Sequence, residues 1–233
     1  MDRGCFGTEV CFMLFALKLA SPERFWLLRG NHECRLLTSH FNFKQECSAK
    51  YNMEVYLKFM EVFDRLPIAA IINNKFLCLH GGLSPSVESI SELYAIDRFT
   101  EPPTDGSLCD ILWSDPADES MAVGLSEADK EEWMGVAFEE NPTRGCGFVF
   151  GWKAVESFCK ENDLVAIIRG HEVQRTGYCL HRFLVPESER PFPITFTVFS
   201  APNYVNIQFI FVFISVLLLL LFFSVIYIVT LEP

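Results

Sequence analysis

The sequence predicts an α/β layered domain closed by a C-terminal apolar helix. Three observations carry this expectation. Short apolar runs recur along the first 204 residues, each ending at a glycine or a turn, with helix-patterned stretches between them. Half of the 233 residues are hydrophobic and 21% are charged, a composition too apolar for a disordered chain and a length sufficient to bury a core. Residues 207–231 hold no charged side chain, and the run FIFVFISVLLLLLFFSVIYIV is about the 20 residues that a helix needs to cross a bilayer.

Each element follows from its local pattern. Residues 8–19 (TEVCFMLFALKL) suit a helix buried on most sides, with Thr8 as its N-cap. ERFWLLRGNHE reads as a strand over 25–28 that ends at Gly30. Residues 41–63 mix polar and apolar side chains at helical spacing. NKFLCLHGGLS gives a second strand, Phe76–Leu79, before a glycine-rich turn. DLVAIIRGHE gives a third over 164–168, and the run at 194–199 a fourth that ends in SAPNY.

Charge and cysteine usage narrow the function. The balance of 19 Lys+Arg against 30 Asp+Glu gives a net charge of −11. This excludes a nucleic-acid surface, which needs Lys and Arg to displace counterions. Nine acids against the single Lys130 fall within residues 115–140, a solvated acidic face or loop without the alternating Asp/Asn spacing of a Ca²⁺ loop. The nine cysteines are scattered without a CxxC pair, as suits reduced, buried thiols. No secretory signal is read after Asp2 and Arg3. The expectation is a cytoplasmic protein, with membrane anchoring through residues 207–231 as the competing reading.

Three strands end alike: an apolar run, a short glycine-containing turn, then a side chain that binds metals. They deliver Asn31 with His32, His80, and His171. Loops beyond strand ends are where rigid sheets build sites. Two His and an Asn converging from separate loops suit Fe, Mn or Zn, and adjacent Asn31 and His32 are free to divide ligation from proton handling. A histidine after a strand is also commonly structural, so the residues alone leave both readings open.

Six motifs occur in one order: DRG (2–4), RGNHE (29–33), LHGGLSP (79–85), WSDP (113–116), RGHE (169–172) and SAPNY (200–204). In these the chain resembles the phosphoprotein phosphatases, the metal-dependent serine/threonine phosphatases. HECRLLTSHFNFKQEC and DRFTEPPTDGSLCDILWSDP resemble their calcineurin-type branch. The resemblance implies a metallophosphoesterase-type β-sandwich flanked by helices, and hydrolysis of phosphoserine and phosphothreonine by water activated between two metal ions. It implies Asn31, His80 and His171 as ligands of one metal, His32 as general acid, and Asp2 as the carboxylate that orients His32. It implies Arg3 and Arg144 as phosphate clamps and Tyr204 at the site rim. Arg suits a clamp because its planar, permanently charged fork meets phosphate oxygens in pairs.

The departures shape the remaining expectations. The family's GDxHG motif has no counterpart, and of GDYVDRG only DRG is present, with Met1 in place of valine. By the resemblance, three of six metal ligands are then missing, which predicts an incomplete domain over 1–204 with little or no activity. After SAPNY the family continues with further strands. Calcineurin-type chains then carry segments for a regulatory subunit and calmodulin, so those partners are expected for the family but their segments are absent here. Residues 205–233 read either as a membrane helix or as translated non-coding sequence. The alternative to an enzyme is a non-catalytic, membrane-anchored binding module.

Overall fold

The computed structural model describes residues 1–201 and 228–230. The chain opens with four helices. Helix α1 spans Gly7–Ala20, α2 Arg35–His40, α3 Phe43–Lys50 and α4 Met53–Phe63. Helix α1 starts one residue before the predicted one, and Thr8 is not its cap. The Glu46 carboxylate, reaching across from α3, instead accepts hydrogen bonds from the amides of Gly7 (3.1 Å) and Thr8 (2.8 Å). The helical pattern over 41–63 divides at Asn52, whose side chain caps α4 by accepting from the Val55 amide. Tyr56, Phe59, Met60 and Phe63 repeat at helical spacing and bury one face of α4 against Phe43 and Cys47 of α3 and Cys11 of α1.

Strands β1 (Ala69–Ile72) and β2 (Phe76–Leu79) form a hairpin turned by Asn73 and Asn74, both at positive φ. Short helices α5 (Ile90–Tyr94) and α6 (Ser107–Trp113) follow, then β3 (Asp115–Pro116), a 3₁₀ turn at Glu119–Ala122 and helix α7 (Glu127–Gly135). Helix α7 buries none of its residues, in line with a solvated acidic segment. Strands β4 (Phe138–Glu140) and β5 (Phe148–Phe150) lead into α8 (Trp152–Glu161), β6 (Ala166–Arg169), β7 (Tyr178–His181) and β8 (Thr195–Val198).

Two sheets result. The larger has the order β7-β8-β6-β2-β1-β9, where β9 is Ile228–Thr230, and its centre, β2-β6-β8, is parallel. The smaller has the order β3-β5-β4. Leu77, Leu79 and Ile167 of the large sheet pack with Ile111 and Leu112 of α6, Phe150 of β5, and Val155 and Phe158 of α8. Phe150 joins the sheets by lying against Gly82, where any Cβ would collide with its ring.

Two expectations are corrected. Residues 25–28 form no strand, because no described strand pairs with them to complete a ladder; the nearby Arg29 amide donates to the Pro67 carbonyl. Residues 228–230, placed within the apolar helix by hydropathy, pair antiparallel with β1. A β-edge offers backbone partners that hydropathy does not register. The remainder of the predicted C-terminal helix lies outside the described residues. Among the described residues no helix is long and apolar enough to cross a membrane.

Candidate active site

The candidate residues converge on one cleft of about 740 Å³. Strand β2 ends at Leu79 and delivers His80; β6 ends at Arg169 and delivers His171 one residue beyond Gly170. These are the C-terminal ends of neighbouring parallel strands, where open α/β sheets place ligands. The irregular segment before Gly30 delivers Asn31 and His32. Gly30 is required by close approach, since a Cβ there would stand 2.9 Å from the His80 ring.

Asn31 Oδ1 lies 2.9 Å from His80 Nε2, and the rings of His80 and His171 are 5.0 Å apart. His171 has φ +69°, a left-handed conformation uncommon outside glycine and suggestive of a functional constraint. Its Nε2 is buried without a hydrogen-bond partner among the described residues; the nearest carboxylate oxygen, Asp115 Oδ1, is 3.8 Å away. Burial first, and then the Arg169 charge, push the His80 imidazole down to about 3. Burial and neighbouring His80 push His171 down as well. Both rings are therefore neutral, the form that ligates metals. An orphaned imidazole nitrogen, a second neutral imidazole and an amide oxygen form a donor set that fits Fe, Mn or Zn. Among the described residues no three His, Cys, Asp or Glu gather into a metal-binding group.

His32 and Asp2 meet beside this set. His32 Nδ1 lies 2.7 Å from Asp2 Oδ2, and the other Asp2 oxygen accepts the Phe43 amide at 3.0 Å, which ties the pair to the start of α3. The Asp2 side chain is wholly buried, while His32 stays 24% exposed to the cleft. Arg3 stacks over the Phe41 ring, 4.7 Å from its centre, and Phe41 also lies against His32. Arg144 reaches the cleft held by Asp115, with Nε 2.8 Å from Oδ2.

The structure thus brings together Asp2, Arg3, Asn31, His32, His80, Arg144 and His171; Tyr204 lies outside the described residues. Sequence reasoning assigned no role to Asp115 or Arg169, although WSDP and RGHE contain them. Trp113, which stands edge-on to His171 at 5.5 Å, also went unassigned. The nine cysteines are free thiols, but burial was expected of them and Cys5 is exposed while Cys78, Cys146 and Cys179 are half-buried; burial pushes Cys11, Cys78, Cys109 and Cys159 up to about 12.

Comparison with known proteins places this geometry. The family described as calcineurin-like phosphoesterase matches residues 1–175. The chain is 44% identical over 207 residues to the serine/threonine-protein phosphatase 2B catalytic subunit A1 of Saccharomyces cerevisiae, and 41% identical over 221 residues to subunit A2 of the same yeast. In both cases 88% of this chain is covered and 36% of the relative, so the chain spans about a third of the length of these relatives. A solved serine/threonine phosphatase from Saccharomyces cerevisiae, with similarity to human phosphatase PP5, superposes with a TM-score of 0.71 at 33% identity, over 88% of this chain and 56% of that one. The ordered motifs, the mixed α/β fold and the match over most of the sequence agree: the chain belongs to the calcineurin-like phosphoesterase family.

Proposed function

We propose that the cleft hydrolyses phosphoserine and phosphothreonine in phosphoproteins. One observation carries this reading: the His32–Asp2 pair stands in the same cleft as Asn31, His80 and His171, with Arg3 and Arg144 on its walls. With Nδ1 committed to Asp2, Nε2 of His32 is left to hand a proton to the departing serine or threonine oxygen. Asp2 fixes the tautomer and ring plane and stabilises the imidazolium before transfer. Arg3 and Arg144 hold the phosphoryl oxygens and offset their charge. When bound, metal ions at Asn31, His80 and His171 would activate water and neutralise charge on the phosphoryl group. Phe41, packed on both Arg3 and His32, limits how far either side chain swings.

The same proposal treats residues 1–204 as a partial catalytic domain and 205–233 as a distinct apolar tail. Taken by themselves, these 233 residues supply three of the six ligands that the resemblance implies, so we expect the isolated polypeptide to bind fewer than two ions and turn over slowly. Metal analysis that finds two ions per chain would contradict this.

The functional reading is tested without relying on turnover. Inorganic phosphate titrated into the Mn²⁺- or Zn²⁺-supplemented polypeptide should shift the side-chain resonances of His32 and the cleft arginines, and Arg144→Ala should weaken binding about tenfold, as expected for loss of a charge-assisted contact. Binding that leaves this cluster unperturbed overturns the proposal. Any release of phosphate from a phosphoserine peptide should vanish in His32→Asn.

A further inference from the structure

The geometry points to Asp115 as the positioning residue of the phosphate clamp, holding Arg144 in place through an ion pair with buried Arg169. The inference rests on the reading of Arg144 as a phosphate ligand and deepens it. Arg169 is the fixed point. Its side chain is wholly buried, and each of its nitrogens has a partner. Nε donates to the Gly81 carbonyl at 2.5 Å, and Nη1 to Glu172 Oε2 at 2.6 Å and Thr197 Oγ1 at 3.3 Å. Nη2 donates to the Ser114 carbonyl at 3.2 Å and to Asp115 Oδ1 at 2.9 Å. A guanidinium so fully engaged has no rotamer freedom, and it fixes the carboxylate that pairs with it.

The remaining capacity of that carboxylate is turned towards the cleft. Asp115 Oδ2 accepts Arg144 Nε at 2.8 Å and Asn141 Nδ2 at 3.0 Å, and Oδ1 lies 3.4 Å from Arg144 Nη2. Asn141 closes the loop by accepting the Arg144 amide at its own Oδ1. Arg144 is thus gripped along its Nε–Nη2 edge, which leaves the opposite Nη1–Nη2 edge for phosphate, the edge suited to paired contact with two oxygens. Asp115 belongs to β3 of the small sheet and Arg169 to β6 of the large one, so the ion pair sets the clamp relative to the strand end that delivers His171. Asp115 touches no substrate in this scheme; it acts through Arg144.

The test reads the clamp directly. In the full 233-residue chain, the Arg144 Nε–H proton should exchange slowly with solvent. In Asp115→Asn, which keeps the shape but loses the charge, it should exchange about tenfold faster, as protection follows from the hydrogen bond. Should Asp115→Asn fail to fold because Arg169 keeps only Glu172 as a carboxylate partner, Asn141→Ala provides a second reading. It removes one contact to Oδ2 together with the bond that Asn141 Oδ1 accepts from the Arg144 amide, spares the ion pair, and should also speed exchange. Phosphate affinity then separates positioning from mere folding. Asp115→Asn, or Asn141→Ala in its place, should weaken phosphate several-fold in the parent chain and by less than about twofold in an Arg144→Ala background, because effects routed through one residue do not add. Unchanged Arg144 exchange in the folded variants overturns the inference, as does an equal loss of phosphate affinity in both backgrounds. If phosphate binds the parent and Arg144→Ala alike, the clamp reading under Proposed function falls, while proton exchange still decides whether Asp115 holds Arg144.

Discussion

Gly30 shows how little room the site leaves. A methyl group there would lie 2.7 Å from Glu33 Oε2 and 2.9 Å from two atoms of the His80 ring. The glutamate is the end of a flexible side chain, but the His80 ring is held by Asn31. Gly30→Ala should therefore displace His80 and weaken Mn²⁺ or Zn²⁺ binding by about tenfold, in the range seen when groups that orient metal ligands are removed. A metal titration beside a urea melt checks this, since simple unfolding would move both together. Asp2 offers a second test at this scale, because one buried carboxylate serves His32 with one oxygen and the Phe43 amide with the other. Asp2→Ala should cost about 2 kcal/mol in chemical denaturation, the scale of lost hydrogen bonds to a charged group. It should also broaden the His32 ring resonances, which lose the carboxylate that fixes the Nδ1 side. Unaltered His32 signals would show that Phe41 alone orders the ring.

Among the elements, α1 depends on a partner distant in sequence. Glu46 accepts the Gly7 and Thr8 amides and the Thr8 hydroxyl, and receives Lys50 at 3.0 Å. Burial alone would raise its carboxyl, but the hydrogen bonds from Thr8, Lys50 and Gly7 outweigh it and hold the group below its ordinary value. A carboxyl depressed in the folded state contributes stability that is complete above its unfolded value, about 4.3, and is lost as pH falls through the lower folded value. Glu46→Ala should lower stability near neutral pH by about 2 kcal/mol, and the deficit relative to the parent should shrink below about pH 4. Urea melts across this range check it; a deficit that persists in acid would assign the loss to packing. This element also shows where sequence reasoning stopped. Thr8 has the right chemistry for a cap, and nothing local reveals a carboxylate 38 residues away. Strand β2 was legible to the residue because a buried central strand is a short apolar run between turns. Strand β1 went unread although Asn73 and Asn74 mark a hairpin turn, and the run at 25–28 was misread because strand formation depends on a neighbour. His80 and His171 were legible because each follows a strand end within two residues, whereas Asn31 and His32 follow a segment that forms no strand, and Asp2, Arg3 and Arg144 were read from motif order. The site was not legible where Asp115 and Arg169 act across sheets, since pairing between separate motifs is a tertiary fact.

For the molecule as a whole, the seam between the two sheets couples core to cleft. Phe150 of the small sheet is fully buried in the main core cluster and lies on Gly82, two residues beyond His80. Trp113, at the end of α6, packs on the same cluster with one side and meets His171 edge-on with the other. Phe150→Ala should therefore remove more than core packing. Its stability cost should be about 3–5 kcal/mol, the usual range for emptying a buried aromatic site. The cavity would open beneath the loop that carries His80, so metal and phosphate affinity should fall with it. Phe150→Leu refills most of that volume and should recover the larger part of the stability. If the seam sets the site geometry, phosphate affinity in Phe150→Leu should stay below the parent even where its urea midpoint is largely restored, because the aromatic ring against Gly82 is not reproduced by a branched side chain. Full recovery of both together would show that Phe150 acts on the cleft only through global stability, and that the Asp115–Arg169 pair alone registers the two sheets at the site.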